Sequence, residues 1–403
     1  VYKRQASHNP KEYNGYKAYW TDGSQVTAPH DRNIIAEVEK ITSIDQILTG
    51  ANPGNITLLG EEFDEIYLNK VHTLSLSPES VGKFHDMKIA YTPLHGAGVR
   101  LVPASLRKWG FTNVSLVEKQ AVIDGNFPTV ESPNPEERKT MAKAIELGSR
   151  LGADLVLATD PDSDRIGVAL RNAKGEYVLL NGNQTLSLIM AYQLTRWSEL
   201  GRLDGKEFVV KTIVTSQMPN VMAAHFGVKC YDCLTGFKYI ARIIRNNEGK
   251  ATYIGGGEES FGYLAGDFVR DKDAVSACSL VAEAAAWTRD TMGLTLYEWL
   301  QKLYVEFGFF REGLVSVVRK GMEGAAEIQQ MMVDYRADPP REIAGSPVVK
   351  INDFKLLEST DVRTGAKTPI EEEASNVLQW FAADGTVVSV RPSGTEPKIK
   401  FYI

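Results

Sequence analysis

The chain has 403 residues, 43% hydrophobic and 24% charged, a soluble composition too long for one ordinary core, so two to four domains are expected. Its net charge of -6 argues against a nucleic-acid binder, and no apolar run approaches the ~20 residues that span a bilayer. Three cysteines, Cys230, Cys233 and Cys278, make no disulfide framework and fit a reducing, cytoplasmic setting. Cys230 and Cys233 have C-x-x-C spacing, but no second ligand pair or thioredoxin-like pattern accompanies them, so the spacing reads as chance.

In chain order, residues 16–20 read as a short strand with a turn at Asp22-Gly23, and residues 34–41 have helical periodicity. From Lys88 the pattern becomes βα. Residues 89–92 are a strand, 93–98 a turn, 102–109 a helix and 114–117 a second strand. A helix is expected over 135–151 with Glu136 and Glu137 in its first turn. Strands follow at 155–158, 166–170 and 177–180, then a helix over 184–194. A new unit opens near Phe208 with a continuous strand over 208–214, and helical segments follow at 221–225, 237–245 and 276–292. The last stretch carries strands at 314–318, 348–354 and 386–390. The alternation predicts an α/β architecture with an α+β unit at the end. The chain starts at Val, and Val1-Tyr2-Lys3-Arg4-Gln5 matches a translated transposon mosaic-end adaptor. A fragment cut at both ends is therefore expected, with residues 1–5 non-native and apolar surface exposed in the first stretch.

The densest chemistry is Asp160-Pro161-Asp162-Ser163-Asp164-Arg165, directly after the apolar run from Ala153 to Ala158. Hard oxygen ligands on alternate residues at the end of a buried strand suit Mg²⁺. Pro161 stops a helix from running through them. A calcium EF-hand also opens D-x-D-x-D, but needs Gly at position six and Glu at twelve. Arg165 and Arg171 stand there, so that reading fails.

Three further loops carry polar groups on turn residues. Ser7-His8-Asn9-Pro10, with Lys17 ten residues on, reads as a turn former or an activated hydroxyl. Gly257-Glu258-Glu259-Ser260-Phe261-Gly262 reads as a polar surface loop or a binder of vicinal sugar hydroxyls. Arg391-Pro392-Ser393-Gly394-Thr395-Glu396-Pro397 reads as a tight turn or a phosphate cradle. Lys238, behind the turn Thr235-Gly236, reads as a phosphate ligand, a proton shuttle or a solvated helix residue.

The four loops, in that order on one chain, resemble the α-D-phosphohexomutases of the phosphoglucomutase/phosphomannomutase superfamily, over essentially everything after Gln5. The resemblance implies three α/β domains with mixed sheets and a smaller α+β domain around a cleft. Here they would be a remnant of the first (1–80), a metal-binding second (81–203), a sugar-binding third (204–312) and a truncated phosphate-binding fourth (313–403). It implies that Ser7, beside His8, carries a phosphoryl group. Mg²⁺ would sit on Asp160, Asp162, Asp164 and a phosphoserine oxygen of Ser7, flanked by Arg165. Lys17 would be the first choice for proton transfer and Lys238 the second. Glu258 and Ser260 would bind the sugar; Arg391, Ser393, Gly394 and Thr395 would hold the non-reacting phosphate. Some relatives carry a histidine in the sugar loop, where this chain has Gly262. The implied activity interconverts glucose 1-phosphate and glucose 6-phosphate through a bisphosphorylated sugar, with glucose 1,6-bisphosphate as activator. The alternatives are a phosphomannomutase, a phosphopentomutase, or an inactive sugar-phosphate-binding protein. The partner is a small hexose phosphate, with neither nucleic acid nor membrane.

Overall fold

The computed structural model describes residues 2–5, 7, 11, 15–47, 50, 54, 57–319, 321–393 and 398–403. His8, Gly394 and Thr395 lie outside the described residues. The chain divides into two compact units, Val1–Asp232 with Gly236–Phe309, and Cys233–Thr235 with Phe310–Ile403.

In the first unit β1 (Tyr2–Gln5) and β2 (Gly15–Ala18) pair antiparallel, followed by α1 (His30–Val38), α2 (Glu61–His72) and α3 (Pro78–Lys83). Helix α1 has no buried residue, and Ile44, Leu58 and Phe63 are exposed. A five-stranded sheet comes next. It is built from β3 (Ile89–Thr92), α4 (Gly98–Trp109), β4 (Val114–Leu116), α5 (Arg138–Leu151), β5 (Leu155–Thr159), β6 (Ile166–Arg171) and β7 (Tyr177–Leu179). The strand order is β4-β3-β5-β6-β7; β3 runs parallel to β4 and β5, whereas β6 is antiparallel to β5 and β7. All five residues of β5 are buried, as a continuous apolar strand between covered faces should be. Helix α6 (Gly182–Glu199) leads to a second sheet of β8 (Glu207–Thr212), α7 (Met218–His225), β9 (Lys229–Cys233), α8 (Phe237–Asn247), β10 (Thr252–Glu258) and β11 (Gly262–Ala265), ordered β11-β10-β8-β9.

Helix α9 (Ala274–Met292) ties the two sheets together; α10 (Leu296–Phe307) packs on it. Every residue of α9 from Ala274 to Thr288 is buried, and the helix touches β5, β6 and β11 as well as α4. Its alanines make this possible, because small side chains on all faces let neighbours approach from every direction. Ser105 and Ser279 meet through their hydroxyls at 2.7 Å where α4 crosses it. Glu283, fully buried on α9, accepts from Leu76 N–H (2.9 Å), Ser77 N–H (3.0 Å), Tyr192 Oη (2.8 Å) and the Ser75 hydroxyl.

The second unit holds β12 (Leu314–Val318), α11 (Gly321–Ala337), β13 (Glu342–Ile343), β14 (Ser346–Asp353), β15 (Glu358–Asp361), β16 (Lys367–Pro369), β17 (Leu378–Ala382), β18 (Val387–Pro392) and β19 (Lys398–Tyr402). Its pairings are all antiparallel, and α11 covers β18 and β19 over a core that includes Met332, Trp380, Val390 and Ile399.

Several boundaries differ from the sequence expectation, and two of them have a local cause. The helix expected from Pro135 begins at Arg138, because Asn134 closes a turn by accepting from Glu136 N–H (3.1 Å, side chain) and Glu137 N–H (3.1 Å, carbonyl). Glu136 is therefore left outside the helix. The strand expected to run to Val214 ends at Thr212, where Thr215 N–H turns back to the Thr212 carbonyl at 3.1 Å.

Removing Glu283 would strand several buried donors at once. Glu283→Ala is expected to lower unfolding free energy by about 3 kcal/mol or more, read as a shifted urea midpoint at unchanged slope.

Candidate active site

The acidic loop leaves the C-terminal end of β5 and folds on itself. The Asp160 carboxylate accepts from Asp164 N–H (3.0 Å) and Arg165 N–H (2.9 Å), and Ser163 N–H returns to the Asp160 carbonyl at 2.9 Å. Ser163 takes a left-handed φ of 60° to make this turn, a conformation that costs a non-glycine residue about 1–2 kcal/mol. The loop is wedged from below by the turn after β3. Ala97 N–H donates to the Pro161 carbonyl (2.8 Å), and a Cβ at Gly96 would collide with the Pro161 backbone.

The result gathers the three aspartates, each offering an oxygen within 4.8 Å of the others. Asp160 and Asp164 are buried and Asp162 is half-buried. Burial, then Asp164 and Asp162, raise the Asp160 carboxyl well above its usual range. One Asp160 oxygen, Oδ2, is buried with no hydrogen-bond partner among the described residues. Clustered hard oxygens in one spot, one of them without a hydrogen-bond partner, fit a divalent cation of the Mg²⁺ type.

Three cations answer this charge. Lys17 Nζ lies 3.4 Å and Lys272 Nζ 3.2 Å from the same oxygen, Asp164 Oδ2. Arg165 Nε stands 3.8 Å from Asp164 and 4.0 Å from Asp160, while its Nη1 is held by Glu136 at 3.0 Å. Burial opposes charge on Lys272, but Asp164, Asp271 and Glu258 outweigh it and hold its pKa well above the usual lysine value. Asp271 binds Lys272 at 3.2 Å and accepts from Tyr19 Oη at 2.6 Å. Burial pushes Asp271 up, yet Lys272 and Lys17 leave it below the usual carboxylate range. Lys272 was missing from the sequence reading. Its signal is the charged run Arg270-Asp271-Lys272-Asp273, which begins eight residues after Gly262, and spacing alone cannot link it to Asp164.

The Gly257–Gly262 loop joins the acidic loop through the backbone. Ile166 N–H donates to the Phe261 carbonyl at 3.0 Å, and Arg165 bridges Gly262. Ala274 N–H, at the start of α9, donates to the Ser163 carbonyl at 3.1 Å. Glu258 is 5% exposed and accepts from Gly236 N–H at 2.9 Å, so it caps the start of α8; Ser260 is half-buried. Lys238, on the first turn of α8, lies 3.4 Å from Asp31 and not on the aspartate cluster. Ser7 is half-buried. Arg391 and Ser393 belong to the second unit, where Ser393 N–H closes the loop onto the Lys398 carbonyl at 2.8 Å. Cys230 does not join this chemistry, since burial and Asp232 push its thiol up to about 12 and suppress the thiolate.

Profiles of the phosphoglucomutase/phosphomannomutase α/β/α domains I, II and III match residues 5–45, 65–175 and 181–307. Curated phosphoglucomutases of Staphylococcus aureus strains MRSA252 and N315 are 34% and 35% identical over 402 residues, 99% of this chain and 71% of theirs. The chain belongs to the phosphoglucomutase/phosphomannomutase family. It is thus an α-D-phosphohexomutase, an isomerase. Among solved structures, a putative phosphomannomutase from Thermus thermophilus matches with TM-score 0.66 at 19% identity, covering 99% of this chain and 73% of that one. The N-acetylphosphoglucosamine mutase of Aspergillus fumigatus, solved with glucose 1,6-bisphosphate and separately with GlcNAc-6P and magnesium, matches with TM-scores 0.55 and 0.54. Its identities are 13% and 12%, with 100% of this chain and 84% of that one covered. The α/β architecture with mixed sheets expected from the sequence is the one found. No helix among the described residues is long and apolar enough to cross a membrane.

Asp162→Asn removes one hard anionic ligand and is expected to weaken Mg²⁺ binding about tenfold or more, measured by titration calorimetry at fixed pH. Unchanged affinity would reject the aspartates as the metal site.

Proposed function

We propose that this enzyme interconverts glucose 1-phosphate and glucose 6-phosphate through a phosphoserine at Ser7 and a glucose 1,6-bisphosphate intermediate. The observation that carries the reading is the fusion of the acidic loop to the Glu258 loop by the Ile166–Phe261 hydrogen bond, with two lysines on Asp164 between them. A metal end and a sugar end then share one rigid junction. The name of the Staphylococcus relatives supports glucose, and the ligands of the Aspergillus enzyme support the bisphosphate and magnesium.

In the first half-reaction the phosphoserine P–Oγ bond breaks as a sugar hydroxyl oxygen bonds to phosphorus. The hydroxyl proton passes by way of a lysine to Ser7 Oγ, so serine is restored. The second half-reaction reverses this with the other phosphate after the bisphosphate turns over. Asp160, Asp162 and Asp164, with an oxygen of the Ser7 phosphate, would hold Mg²⁺, which supplies Lewis-acid charge against the phosphoryl oxygens. Lys17, acting as the neutral amine when it takes the proton, is the first choice, since its side chain is a quarter exposed and its Nζ already lies at the cluster. Lys272, buried and held charged by its carboxylates, acts as a fixed cation facing the transferring phosphate. Glu258 and Ser260 orient the sugar hydroxyls. Arg391 and Ser393, with Gly394 and Thr395, would hold the non-reacting phosphate, and His8 is the sequence neighbour of the carrier serine.

Ser7→Ala is expected to reduce turnover by about 10³-fold or more while sugar-phosphate binding changes little. A coupled assay with bisphosphate present and calorimetry of glucose 6-phosphate binding test it together; wild-type-like turnover rejects the phosphoserine. A comparison of glucose 1-phosphate, mannose 1-phosphate and ribose 1-phosphate tests the sugar, and a preference for either of the last two replaces glucose.

Lys272→Met should lower kcat by about 10²-fold, more than Lys238→Met, because only the first cation contacts the aspartate cluster. Steady-state rates of the two variants decide this.

A further inference from the structure

We propose that Lys211 and Glu259 are positioning residues that fix the sugar loop from behind and that neither touches the sugar. The inference rests on the reading of Glu258 and Ser260 as the hexose ligands. Lys211 sits on β8 after Phe208, Val209 and Val210, and its side chain is fully buried. An apolar side chain would fill that place in the sheet without the cost of burying an ammonium group. The charge is instead directed at one turn. Lys211 Nζ lies 2.8 Å from Asp232 Oδ1 at the end of β9 and donates to the carbonyls of Thr212 and Thr215, each at 3.4 Å.

The same turn aims both of its hydroxyls at the sugar loop. Thr212 Oγ1 and Thr215 Oγ1 lie 3.0 and 3.2 Å from Glu259 Oε2. One Glu259 carboxylate oxygen is thereby held by the turn after β8. The main chain is clamped at the same place. A Cβ at Gly182 would collide with the Glu259 carbonyl, so the start of α6 packs directly on the loop backbone. Asn183 Oδ1 accepts from Ser216 N–H at 2.9 Å, which ties the turn after β8 to that helix start. The chain of contacts runs Asp232, Lys211, the Thr212–Thr215 turn, Glu259 and then the sugar loop. Glu258, by contrast, accepts from Gly236 N–H at the start of α8.

The test measures kcat and KM for glucose 1-phosphate, with saturating glucose 1,6-bisphosphate, in the full chain carrying Lys211→Met, Glu259→Gln, Glu259→Leu or the pair Thr212→Val and Thr215→Val. Lys211→Met is expected to raise KM about tenfold, lower kcat less than about threefold, and leave Mg²⁺ affinity within about twofold. Glu259→Gln keeps an acceptor oxygen and should stay within about threefold of wild type, whereas Glu259→Leu should match Lys211→Met. If Lys211→Met fails to fold by circular dichroism, the double threonine variant must show the same rise in KM. Unchanged KM in a folded Lys211→Met or in the threonine pair overturns the proposal. So does a Glu259→Gln variant whose KM rises as fully as that of Glu259→Leu, because that outcome makes Glu259 a sugar ligand. Wild-type protein without turnover of any sugar phosphate removes the underlying reading and this proposal with it; active wild type with unaffected variants removes only the proposal.

Discussion

Three carboxylates forced into one turn are the constraint around which the first unit is arranged. Like charges this close repel, and burial removes the water that would screen them. The chain answers with cations drawn from three distant places: Lys17 after the serine loop, Arg165 inside the turn itself, and Lys272 beyond the sugar loop. Each answer has its own anchor. Tyr19 and Lys272 share Asp271, and Glu136 takes the free end of Arg165. The electrostatic need of one short loop therefore fixes where several remote segments must lie.

The parts of the site that depend on local spacing were legible in the sequence. The aspartates follow one another at alternate positions after an apolar run, so the strand, the turn and the clustering of the carboxylates could all be read together. Arg165 was legible for the same reason. Lys272 was not, because its partnership with Asp164 is made by tertiary packing and leaves no periodic trace. The helix start at Arg138 escaped because Asn134 competes for the amides of Glu136 and Glu137, a side-chain effect that composition underweights. The Glu258 loop was visible through its flanking glycines, but the contacts of Glu259 with Thr212 and Thr215 were not, since packing from another strand makes them.

Glycine supplies the close approaches that make the junction rigid. Gly96 lets a β3 turn lie directly on the acidic loop, and Gly182 lets a helix start lie directly on the Glu258 loop. In both places backbone meets backbone, so the loops are supported by groups that cannot change rotamer. That suits a reaction in which positioning and fixed charge do most of the catalysis.

The alanine-lined helix α9 has a consequence for how the first unit comes apart. It is buried along most of its length and touches both sheets, so neither sheet can separate without exposing it. Local fraying has no route to its interior. In amide exchange its central N–H groups should swap deuterium only when the whole unit opens, and their rates would serve as a built-in gauge of global stability.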